Sequence, residues 1–228
     1  MPLSNWTIYR SGNPAVGITT TVSTPVSLTP ILGTGSLRVE GYVITDQFVN
    51  IYNTTAVEIG LKKGRFRSVL NPAGITGTGT EKYSFGCVFM QSQLNISGGS
   101  GNCYFAHLSV RNGGTNAQFY IRKFVSTGLQ GDTLATTTLY SGLNLGTVLG
   151  QNTAVEVEWD ADSGTHCDIT IRRALNTMSF GSLILETTVT DSVSPLLTTV
   201  GEGIAMTNGL TSGTYTWLCD ITSLKKLL

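Results

Sequence analysis

Three carboxylates stand at alternate positions in the run AVEVEWDAD: Glu156, Glu158 and Asp160. Alternate residues of a strand share a face, so all three would project together. Carboxylates spaced this way are the equipment of glycoside hydrolysis, where a retaining pair sits about 5–5.5 Å apart. The same alternation is also what a half-buried strand shows on its solvated side, and that is the default reading. Asp160 and Asp162 flank a turn, with His166 and Asp168 just beyond. Calcium takes about six to eight oxygen ligands, a density this loop lacks, so an Asp-initiated turn is the default and no metal is expected. His107 lies in CYFAHLSV and His166 in GTHCDITI. Neither adjoins a G-x-S-x-G elbow, so neither offers a nucleophile–base pair. No catalytic residue and no cofactor is expected, and the chain reads as a non-enzyme.

Lys62, Lys63, Arg65 and Arg67 place four of the 14 basic residues within six positions. On a strand Lys63, Arg65 and Arg67 would share a face. Such a patch suits an acidic protein surface, against the default of a solvated loop. Nucleic acid is disfavoured, since only Phe66 accompanies the patch as a stacking residue and the net charge is zero. Trp159 and Trp217 fall on the apolar faces of their strands and read as core. Trp6 and Tyr9 lie in the N-terminal segment and have no core assignment. They read as anchors for a neighbour's pocket.

The elements that would carry these residues are strands. The chain has 228 residues, 12% of them charged, with 14 acidic and 14 basic residues and 27 glycines. Abundant Gly, Thr and Ser argue against long helices. MPLSNWTIYR lacks the basic and apolar regions of a signal peptide, so secretion is not expected. No apolar run approaches 18 residues, so no membrane span is expected. Cys87, Cys103, Cys167 and Cys219 form no C-x-x-C pair, which disfavours zinc and leaves reduced thiols as the expectation. Residues 1–35 hold Pro2, Pro14, Pro25 and Pro30 and are expected to be an extended arm. Residues 36–228 alternate with period two. YSFGCVFMQ reads as a strand buried on both faces, and CYFAHLSV and AQFYIRKFV flank the turn RNGGTN. In AVEVEWDADSGTHCDITIRRA, Val155, Val157 and Trp159 alternate with acids, and Ile169 and Ile171 alternate after the turn. This is a hairpin with one buried face. About a dozen strands predict an all-β, two-sheet sandwich.

From about residue 83 to 224 the order of elements resembles the concanavalin A-like, laminin-G-like jelly-roll domain. The paired strands ending in Lys123, the hairpin AVEVEWDADSGTHCDITI and the closing VGEGIAMTN through WLCDITSLKK carry the resemblance. It implies a two-sheet antiparallel jelly roll, with the arm preceding it. The laminarinase-like glycosidases of that fold carry E-x-D-x-E, whereas this chain has E-V-E-W-D, which alters the reach of two carboxylates by a methylene. The proline- and threonine-rich arm, low charge and Gly/Thr/Ser-rich loops are similar in texture to bacteriophage virion proteins. The leading expectation is therefore a non-enzymatic structural protein of a phage particle, a decoration (cement) or tail-associated component made in the host cytoplasm and located in the virion. Its partners would be other virion proteins and copies of itself, with no nucleic acid and no membrane. The alternative is a carbohydrate-binding, lectin-like adhesion module with glycans as partners.

Overall fold

The computed structural model describes residues 6–11, 19–23, 36–42, 47–53, 60–76, 82–93, 101–111, 114–126, 137–208 and 214–227. Within them the strands are β1 (Trp6–Ser11), β2 (Thr19–Ser23), β3 (Ser36–Tyr42), β4 (Gln47–Asn53), β5 (Lys63–Thr76), β6 (Lys82–Gln91) and β7 (Cys103–Arg111). They continue as β8 (Asn116–Phe124), β9 (Thr137–Ser141), β10 (Thr153–Asp160), β11 (Cys167–Leu175), β12 (Ile184–Asp191), β13 (Gly201–Asn208) and β14 (Thr214–Lys226). One short 3-10 turn, Phe180–Ser182, precedes β12. One seven-stranded sheet runs β1-β4-β13-β6-β7-β8-β9 and the other β12-β11-β10-β5-β14-β3-β2. All the pairings are antiparallel. The expected all-β sandwich is the observed one.

The core lies between the sheets. Phe85, Phe89, Tyr104 and Phe119 enter it from the first sheet, and Phe66, Val157, Trp159 and Trp217 from the second. Two stacked ring pairs join the layers, Phe85 on Trp217 at 5.4 Å and Phe89 on Trp159 at 4.8 Å between centroids. Such side chains each remove roughly 150–250 Å² from water and dominate the burial term. The expected hairpin is β10–β11, with Val157 opposite Ile171 and Trp159 opposite Ile169. Val155, Val157, Trp159, Ile169 and Ile171 are all buried, as the alternation requires.

β6 is buried on both faces, also as expected. Phe85, Cys87 and Phe89 face the core, while Val88 turns outward into a second apolar cluster with Cys103, Phe105, Phe124 and Ala205. The N-terminal segment contains two strands, and each pairs within this chain: β1 with β4 and β2 with β3. Both are edge strands, and none of the four prolines falls inside them. Proline has no N–H to give a ladder, and the one inside a central strand, Pro72 of β5, sits where the register with β14 shifts.

The connection from β12 to β13 changes sheets and is tied down by a buried polar network. Lys123 Nζ pairs with Asp191 Oδ2 at 2.7 Å and donates to the carbonyls of Val193 and Ser194. The Tyr104 hydroxyl donates to Asp191 at 2.6 Å and accepts the Leu196 N–H. All three ammonium protons are used, which is what makes a buried charge pair tolerable.

Candidate functional site

The acidic and basic residues singled out by the sequence meet on the outer face of the second sheet. Register places Glu156 opposite Arg67, Glu158 opposite Arg65 and Asp160 opposite Lys63. Arg67 Nε donates to Glu156 at 2.6 Å, and Arg172 Nη1 donates to Glu156 at 2.9 Å and to Glu158 at 2.6 Å. Arg65 lies 3.9 Å from the other Glu158 oxygen, and Lys63 3.0 Å from Asp160. The Phe180 ring lies 5.4 Å from the Arg67 guanidinium carbon. The Glu156 side chain is only 5% exposed, so the expected solvated face is instead a closed ionic lattice at that end. Each oxygen of Glu156 and Glu158 faces a guanidinium, and the pair presents no free oxygen to a substrate. Lys62 is exposed, and its carbonyl accepts the Ala161 N–H. The side chains of Trp6 and Tyr9 lie outside the described residues; their backbone belongs to β1.

The Asp turn is self-satisfied. Asp160 Oδ1 accepts the Asp162 N–H at 3.0 Å, and its other oxygen is the one on Lys63. Asp160 is held below the usual carboxylate range: desolvation opposes this, but the Asp162 N–H and Lys63 outweigh it. His166 approaches Asp168 at 3.5 Å. Among the described residues no group of three or more His, Cys, Asp or Glu side chains is arranged to hold a metal ion.

A different face, missed by the sequence reading, gathers polar and aromatic groups. Along β7 and β8 the inward positions are Tyr104, Ala106, Leu108, Val110, Ala117, Phe119 and Ile121. The intervening positions therefore point away from the core. His107 lies opposite Tyr120, and Ser109 opposite Gln118. Phe105 and His107 are 4.2 Å apart, and His107 and Tyr120 5.5 Å, between ring centroids. Arg122 and Arg111 approach the Tyr120 ring at 4.7 and 5.7 Å. Arg111 Nη2 donates to the Tyr120 hydroxyl at 2.8 Å, and that hydroxyl donates to Gln118 Oε1 at 2.6 Å. Gln118 Nε2 donates to the Gly142 carbonyl. Burial, and then the charge of Arg122, hold His107 well below its ordinary value, so it is neutral. Gly86 lies opposite His107, and a Cβ there would run into the Ala106 carbonyl and the His107 backbone. Arg111, Asn116 and Gln118 are half-buried, while Phe105, His107, Ser109 and Tyr120 on the same face are buried. The alternation of polar residues in HLSVR and NAQFYIR was the available signal.

A second buried acid sits at the start of β13. Glu202 is 3% exposed. It accepts the N–H of Gly60 at 3.1 Å, the N–H of Leu61 and the Thr199 hydroxyl. Burial raises its carboxyl to about 7, against the lowering effect of those three bonds. The Trp159 indole donates to the Leu61 carbonyl at 2.7 Å, so residues 60–61 are clamped from both sides. Gly60 adopts φ +74°, a conformation that favours glycine.

No protein-family profile and no curated protein matches the sequence. Solved structures do match in shape. The VIP36 exoplasmic/lumenal domain in its Ca2+/Man3GlcNAc-bound form superposes with a TM-score of 0.52 at 11% identity, over 100% of this chain and 86% of that one. A GH43 glycoside hydrolase superposes with a TM-score of 0.51 at 12% identity, over 96% of this chain and 42% of that one. The Emp46p carbohydrate recognition domain gives 0.48 at 8% identity, over 95% and 88% of the two chains. The fold is thus a concanavalin-like jelly-roll sandwich.

The expectation of a phage structural protein with virion partners is corrected. The structural likeness runs to a domain solved with Man3GlcNAc bound, which turns the reading to the glycan-binding alternative. Two features that the virion reading leaned on also have partners within the chain. Lys63, Arg65 and Arg67 are paired with carboxylates of β10, and the strands of the N-terminal segment complete the chain's own sheets.

Proposed function

We propose that the chain is a non-catalytic, lectin-like carbohydrate-binding module whose ligand contacts come from the half-buried end of β7 and start of β8, Arg111, Asn116 and Gln118. The observation that carries this is that half-buried Gln118 and Arg111 are fixed on Tyr120 and backed by the buried rings of Phe105, His107 and Tyr120. Small-molecule sites combine apolar and aromatic walls with a few fixed polar groups. A saccharide's hydroxyls suit the planar side chains of Arg111, Asn116 and Gln118. Tyr120, Gln118 and Arg111 are mutually hydrogen bonded, so they are pre-organised before any ligand arrives.

Catalysis has no support on this face. Among the described residues, the outward positions of β6–β8 hold no Asp or Glu, so no acid and nucleophile can be paired there. On the opposite face the candidate carboxylates are engaged by Arg67, Arg172 and Arg65.

A glycan array probed with the wild type and with Gln118→Ala tests the reading. Gln118 is half-buried, so the variant should fold. Binding to a defined glycan set that weakens in the variant is expected, with no reducing sugar released from laminarin or lichenan. A blank array, or sugar release abolished by Glu156→Gln, overturns it.

A further inference from the structure

We infer that the saccharide this face takes is acidic, its carboxylate or sulfate being held by Arg111; the inference rests on the glycan-binding reading above. Arg111 ends β7 and is half-buried. Its Nη2 is fixed on the Tyr120 hydroxyl at 2.8 Å, and its Nε is buried without a partner. Among the described residues no carboxylate pairs with it. The other sheet treats its cations differently. There Lys63, Arg65, Arg67 and Arg172 each sit within 2.6–3.9 Å of a Glu or Asp oxygen.

The surroundings of Arg111 are donors and neutral acceptors. Ser109 lies two residues back on the same face, opposite Ser84 across the β6–β7 ladder. Both are buried, at 1% and 0% exposed, and neither hydroxyl has a partner. A buried hydroxyl left unpaired is unfavourable by about 1–3 kcal/mol, and these two lie beneath the half-buried edge that Arg111 forms. Asn116, half-buried opposite Arg111, has an Oδ1 without a hydrogen-bond partner. Among the described residues, no acidic side chain occupies the outward positions of β6–β8. The remaining guanidinium N–H groups are a planar fork, the geometry that matches carboxylate and sulfate oxygens.

Calorimetric titration distinguishes the possibilities. The probes are a galacturonic acid tetramer, its fully methyl-esterified form with the same backbone but no charge, and a sulfated carrageenan tetrasaccharide. One acidic probe should bind at least tenfold more tightly than the neutral tetramer, and high salt should weaken it. Arg111→Gln should lose roughly tenfold to a hundredfold on that probe, the scale of a hydrogen bond to a charged group, and little on the ester. Tyr120→Phe keeps the charge but removes its positioning hydroxyl, and should fall between. Thermal melts matching the wild type confirm that each variant folds. If neutral glycans bind and Arg111→Gln leaves every affinity unchanged, the acidic ligand is refuted while glycan binding stands. If no glycan of either kind binds, both readings fail.

Discussion

Glu202 makes the stability of this protein depend on pH near neutrality. The native carboxyl holds its proton to about 7, against an ordinary value of 4.5 for an unfolded chain. Between those values the folded state binds a proton that the unfolded state has released, so stability falls as pH rises. The contribution is fully present below pH 4.5 and is lost as pH passes through 7. A shift of that size corresponds to about 3 kcal/mol. Because the side chain is only 3% exposed, solvent screening does not erase the effect. Urea unfolding of the wild type and Glu202→Gln from about pH 4.5 to 8.5 measures it. Gln keeps one acceptor for Gly60 and Leu61 but cannot ionise, so it should be less stable than wild type at low pH and gain on it as pH rises. The difference between the two proteins should change by about 3 kcal/mol across the window. Parallel curves would refute the reasoning and place the carboxyl in a wet environment.

Trp159→Ala should destabilise by about 3–5 kcal/mol, since it removes a buried indole and orphans the Leu61 carbonyl; a change within about 0.5 kcal/mol in chemical denaturation would contradict the packing. Lys123→Met should cost about 3–5 kcal/mol by stranding Asp191 in the interior, and Lys123→Met with Asp191→Leu should recover part of the loss, which a double-mutant cycle reads directly. All four cysteines are buried and free, and burial pushes the Cys167 thiol up to about 12. The native protein should therefore react slowly with a thiol reagent, and four thiols should titrate after denaturation without reductant; fewer than four would show a disulfide.

Periodicity determined much of this protein. Val155, Val157 and Trp159 alternate with Glu156, Glu158 and Asp160, and a period of two has only one buried side to offer, so the β10–β11 hairpin was legible in the residues themselves. The unbroken apolar run of β6 likewise announced a strand covered on both faces. Prolines at 2, 14, 25 and 30 fall outside β1 and β2, whereas Pro72 lies in central β5, at a shift in its register with β14. What covers β1 and β2 was not legible, since pairing with β4 and β3 is a choice among many edges. The lattice of Arg67, Arg172, Glu156 and Glu158 was also invisible: residues far apart in the chain become neighbours only once β5, β10 and β11 take their register. The same holds for the outer face of β7 and β8. HLSVR and NAQFYIR show polar residues at every second place, but they are as consistent with a solvated face as with a site. Register alone sets His107 beside Tyr120 and leaves the hydroxyls of Ser84 and Ser109 facing each other in the interior. For Glu202, VGEGIAMTN marks a strand with a glycine-rich start. Only the fold buries that carboxyl beneath Gly60 and Leu61, where loss of water raises the free energy of its charge above what three hydrogen bonds return.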